Sequence, residues 1–99
     1  MAASLLLLPA AASAAPEDEL AAMEKTLSRD VRAFIERKIE CNHWAGEEPY
    51  DAARARQIER AVQHLKCEAL DKDEVALKRR HAGDERALKG FALADEVYR

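Results

Sequence analysis

The densest run of reactive side chains in this sequence is Asn42-His43-Trp44-Ala45-Gly46-Glu47-Glu48-Pro49-Tyr50-Asp51. It holds the only Trp, one of the two Tyr, one of the three His and three carboxylates. Side chains that bind or react concentrate on loops between regular elements. His43, Trp44, Glu47, Glu48, Tyr50 and Asp51 therefore form a candidate binding loop, with an envelope macromolecule as the expected partner. A structural role stands beside that reading and is the default. Trp44 and Tyr50 can pack on neighbouring helices with their polar atoms bonded locally. Glu47 and Glu48 suit the positive end of a following helix, and His43 suits the last carbonyls of a preceding one.

Metal chemistry finds mixed nitrogen and oxygen donors in His43, Glu47, Glu48 and Asp51, with His64 or His81 joining in space. No zinc or calcium ligand spacing is present, so these are weak candidates and no cofactor is expected. Nucleophilic catalysis would need a free Cys beside a His, and a disulfide would remove it. So small a helical domain also seldom forms a deep pocket, and no enzyme is expected. His64 and the run Lys78-Arg79-Arg80-His81 read as solvated helix faces. With 16 basic residues dispersed among 19 acidic ones and a net charge of −3, nothing points to nucleic acid.

Cys41 and Cys67 are the only cysteines. An even count in a small exported chain favours a disulfide. Closing this loop stabilises by about 3 kcal/mol in the chain-entropy model, a large share for a small domain. In a simple helical hairpin, however, Cys67 would lie about 24 Å along the second helix from its start near Cys41, whereas a disulfide needs Cα atoms within about 7 Å. The pairing therefore predicts an extended, ordered loop over 42–50 that runs back along the first helix. The rival arrangement is Cys41 as a core residue and Cys67 as a surface thiol.

The elements that position these residues are helical. Ala, Leu, Glu, Arg and Lys dominate, and no alternating run is long enough for a strand. Leu20, Met23, Leu27, Val31, Phe34 and Cys41, widened by Ile35 and Ile39, predict one amphipathic helix from about 17 to 43. Pro16 and Glu17-Asp18-Glu19 suit its first turn. Gly46 and Pro49 break it, and Asp51 can cap a second helix carrying Ala55, Ile58, Val62, Leu65 and Ala69. Cys67, Leu70, Leu77 and His81 then lie on a different face, so either the helix breaks near 69–72, which Asp71 in a cap position favours, or one long helix serves two partners. Gly83 and Asp84 punctuate the entry to a last helix with Ala87, Leu88, Phe91, Ala94 and Tyr98 on one side. The expected fold is all-α: a small bundle of three to four helices, one ordered loop and one disulfide, in a single domain over 16–99.

The first fifteen residues read as a signal peptide. Leu5–Leu8 form an apolar core, and Ala12-Ser13-Ala14 offer a small-residue cleavage site before the acidic run at Glu17. No Lys or Arg precedes the Leu run. Pro9 interrupts the run, and a membrane anchor needs about 20 apolar residues, so no stable anchor is expected. The expected location is periplasmic or secreted.

The run from Cys41 to Asp51, followed by an Arg-rich helix and a second Cys, resembles a group of short exported proteobacterial proteins. Their shared pattern is Cys-x-His-aromatic-x-Gly-Glu-x-Pro-Tyr-Asp, and the resemblance covers about residues 32–82. It implies an exported compartment and a helical fold, and it carries no reaction. More distantly, Cys67-x-x-Leu70-Asp71 followed by a helix is similar to the disulfide-bonded helical domain of LprI-type lysozyme inhibitors, without that family's further cysteines. That likeness implies a lysozyme-inhibitor-like role.

Overall fold

The computed structural model describes Ser4 and residues 15–98. Almost all of the expected signal segment lies outside the described residues. The described part is all-α, with helices α1 (Pro16–Glu24), α2 (Arg29–Ala45), α3 (Ala52–His64), α4 (Leu70–Arg80) and α5 (Glu85–Val97), and a 3-10 turn at Cys67–Ala69. Five helices among the described residues replace the expected three to four.

The extra helix comes from a break inside the expected 17–43 segment. Thr26 donates its hydroxyl to the Met23 carbonyl at 2.6 Å, and the amides of Thr26 and Leu27 bond three residues back. Ser28 is then extended, and its hydroxyl donates to Asp30 Oδ1 at 2.7 Å. Thr, Ser and Asp side chains offer the backbone local alternatives to helix hydrogen bonds, and three of them cluster here.

The break folds α1 back to lie on α5. Leu20 from α1, Val31, Phe34 and Ile35 from α2, and Ala87, Phe91, Leu93 and Ala94 from α5 make one buried core, with Leu27 filling the turn between α1 and α2. Phe34 and Phe91 meet edge to face with ring centroids 5.8 Å apart. Gly90 is buried where α5 approaches this turn. A Cβ there would stand 3.3 Å from Leu27 Cδ1 and 3.4 Å from Ile35 Cδ1. Met23, Ile39, Leu70, Leu77 and Tyr98 pack against the edge of the core. One expectation for α5 is corrected: Leu88 is 39% exposed, and Leu93 takes the buried place.

Helix α3 departs furthest from expectation. Its stripe of Ile58, Val62 and Leu65 is only half-buried, and no α3 residue reaches the core. The second break also falls earlier than 69–72. Lys66 adopts the left-handed conformation (φ 53°, ψ 48°), the 3-10 turn follows, and α4 begins at Leu70 with no side-chain cap. Asp71 lies in the first turn of α4 and does not cap it. The other punctuation holds. Asp51 accepts from Arg54 N at 2.8 Å, Gly83 has φ 88°, and Asp84 accepts from Arg86 N and Ala87 N.

Candidate functional site

The loop is built from the end of α2 and the start of α3. Helix α2 extends through Ala45, so the connection is shorter than the expected 42–50. The Gly46 amide closes the helix on the Asn42 and His43 carbonyls at 3.2 Å each, and Glu47 N donates to Trp44 O. This end-capping by backbone amides replaces the capping expected of His43. Asp51 then starts α3 and fixes Arg54 in its first turn, pointing back at the loop.

Arg54 organises the base of the loop. Its guanidinium carbon lies 5.2 Å from the Trp44 ring centroid, its Nη2 is 3.0 Å from Glu47 Oε2, and its Nη1 donates to Gln57 Oε1 at 2.7 Å. The other Glu47 oxygen is 3.3 Å from His43 Nε2, and the His43 ring stands edge-on to Trp44. Two of the predicted residues, Trp44 and Glu47, therefore meet one cation, and His43 joins them through Glu47 and the Trp44 ring. Asp51 is spent on the cap. Glu48 is exposed, and Tyr50 is 82% exposed. Glu47 bonds the Arg54 side chain instead of the amides of the α3 N-terminus. Sequence reading missed Arg54, although its place three residues after the cap was a usable signal.

His64 closes α3 at its far end and His81 follows α4. Neither joins His43. Among the described residues no three His, Cys, Asp or Glu side chains converge as metal ligands.

Cys41 and Cys67 are bonded, with Cα atoms 5.6 Å apart. The distance problem is solved after α3. The helix stops at His64, and the left-handed Lys66 turns the chain so that Cys67 comes to Cys41. Arg37 holds this turn: Nε donates to Leu65 O at 2.6 Å, Nη2 to Lys66 O at 2.8 Å, and Nη1 pairs with Asp73 at 2.9 Å. A guanidinium fork thus satisfies carbonyls at the C-terminal end of α3 and ties them to α4.

Beside the disulfide, Lys38 pairs with Glu74 at 3.2 Å and with Asp95. Burial works to lower the Lys38 pKa, but the hydrogen bonds and charges of Asp95 and Glu74 outweigh it and raise it. Burial likewise works to raise Asp95, and Lys38 overrides it, so the carboxyl is held below its ordinary value. At the other end of α4, hydrogen bonds from His81, then Ser28, then Arg80 hold the Asp30 carboxyl well below the usual carboxylate range.

No family model, curated protein or solved structure matches this chain. Among the described residues no helix is long and apolar enough to cross a membrane.

Proposed function

We propose that this chain is an exported, disulfide-stapled binding module that presents the tip of the 46–51 loop to a protein of the cell envelope. The observation that carries the reading is Tyr50, 82% exposed, on a loop whose base is clamped by Arg54 to Trp44 and Glu47. A clamped loop has less conformational freedom to lose on binding. An exposed Tyr supplies a large amphipathic contact with few rotatable bonds, which is why such residues anchor interfaces. Glu48 beside it favours a basic partner surface. The export part rests on the apolar N-terminal segment and on the Cys41–Cys67 bond, since disulfides persist in oxidising compartments.

The test is site-specific photocrosslinking in cells that export the chain, with a photoreactive Phe analogue at position 50 or at position 88 on the distant α5. A discrete adduct from position 50 only, weakened by Arg54→Ala, is the expected result. Equal yields from both positions, or none from position 50, would overturn the reading. A lysozyme inhibition assay checks the inhibitor-like role on the same protein.

A further inference from the structure

The Cys41–Cys67 bond closes a covalent ring with a sequence separation of 26. The whole 46–51 loop and all of α3 lie inside that ring. Little else holds them. No α3 residue reaches the core, and the helix packs chiefly on α2 and on the 3-10 turn. A helix of 13 residues is marginal in water on its own. Its far end hangs on Lys66, a residue with a Cβ held at φ 53°. Such a residue keeps that conformation only where its surroundings impose it. The Arg37 bonds reach the Leu65 and Lys66 carbonyls of the same turn, so they last only as long as the turn keeps its shape. At its near end α3 carries Arg54, the clamp on Trp44 and Glu47.

The bond is within reach of a reductant. Cys41 is buried, but Cys67 is half-buried, and both line the open cleft between α2, α4 and the end of α5. A thiolate entering there attacks Cys67 Sγ, forms a mixed disulfide and releases Cys41 as a thiolate. The second thiol of the same reductant then displaces Cys67. Two electrons and two protons pass from the dithiol, which leaves as its own disulfide, and Cys41 and Cys67 become thiols.

We infer that the Cys41–Cys67 bond is a redox switch on the 46–51 loop: reduction by a dithiol frees α3, withdraws Arg54 from Trp44 and Glu47, and disarms the loop, while the core of α1, α2 and α5 stays folded. The inference rests on the binding role proposed for that loop. It gives that role an active form in the oxidised chain and an inactive form in the reduced one.

Trp44 is the only Trp in the chain, so its fluorescence reads the clamp without any partner. Acrylamide quenching is measured on the purified protein before and after dithiothreitol, with amide exchange followed on the same samples. Reduction is expected to raise the quenching constant about twofold or more while amides in 31–39 and 87–94 keep their protection. Arg54→Ala is expected to raise quenching in the oxidised protein, and reduction should then add little. Unchanged quenching on reduction, loss of protection everywhere, or a full further rise in Arg54→Ala would overturn the inference. In cells, the double variant Cys41→Ser/Cys67→Ser is expected to cut the adduct from position 50 about threefold or more, and an undiminished adduct would also overturn the switch. Should that variant not accumulate, the wild-type quenching decides. No adduct from the wild-type chain would sink the binding role alone, because quenching reads the clamp separately.

Discussion

Arg37 Nε donates to the carbonyl oxygen of Leu65 at 2.6 Å, across 28 residues of sequence. This contact closes α3 from the side of α2, and the same guanidinium reaches Lys66 O and Asp73. A Lys has one point of charge and no fork, so it cannot hold three acceptors in one plane. Arg37→Lys and Arg37→Ala are both expected to destabilise, the Ala variant by about 2 kcal/mol, typical for hydrogen bonds to a charged group with acceptors left behind. Urea unfolding followed by circular dichroism measures it. A Lys variant as stable as wild type would show that only the charge matters.

Reduction should act regionally. Cys41–Cys67 joins α2 to the turn after α3, while the core of α1, α2 and α5 lies elsewhere. Breaking the bond is expected to cost about 3 kcal/mol and to remove hydrogen-exchange protection first from residues 52–69. Amides in 31–39 and 87–94 should remain protected for longer. Exchange measured with and without reductant decides this, and simultaneous loss everywhere would mean that α3 is part of the cooperative core.

Acid should expose the Asp30 junction. Asp30 has a folded-state pKa depressed below 3.8, chiefly by the hydrogen bond from His81. The folded state therefore binds this proton more weakly than the unfolded chain. Its contribution to stability is present above about pH 4 and is lost as pH falls through the ordinary Asp value and below it. Asp30→Asn is expected to be less stable than wild type at pH 7, with the difference narrowing as the pH falls from about 4 toward 2. Parallel denaturation series at several pH values check the sign, and a difference that grows toward low pH would refute it.

Gly90 limits what the core accepts. A single carbon there already meets Leu27 and Ile35 at 3.3 and 3.4 Å. Gly90→Leu is expected to destabilise by about 2 kcal/mol through overpacking, in spite of its better helix propensity. Thermal melts of the variant measure the loss, and a raised midpoint would show that Leu27 can move aside.

The reach of sequence reading is set by how local each cause is. Asp51 and Asp84 were legible as caps because a cap needs only the next three amides. Leu20, Leu27, Val31, Phe34 and Ile35 were legible as core because burial follows the helical period. The same period hid the break at 25–28, since Leu27 and Val31 keep their phase across it. The signal lay instead in Thr26 and Asp30, whose side chains bond backbone groups, and in Ser28, whose hydroxyl bonds the Asp30 carboxylate. The stripe on α3 read as burial, yet a stripe records only that one face meets something less polar than water. In the loop, His43, Trp44 and Glu47 do meet, while Tyr50 and Glu48 stand apart. Arg37 was invisible because the targets of its guanidinium lie 28 and more residues along the chain, and Arg54, whose place after the Asp51 cap was a signal, hid its targets because a loop's final path chooses them.

Because no side chain of α3 enters the core, its outward positions answer to few constraints of packing. Asp51 and Arg54 fix where the helix begins, and Arg37 with the Cys41–Cys67 bond fixes where it ends. Between those anchors the helix is a replaceable cassette. Its surface can be rewritten by drift or by an engineer, and the molecule can acquire a new recognition face while its interior stays as it is.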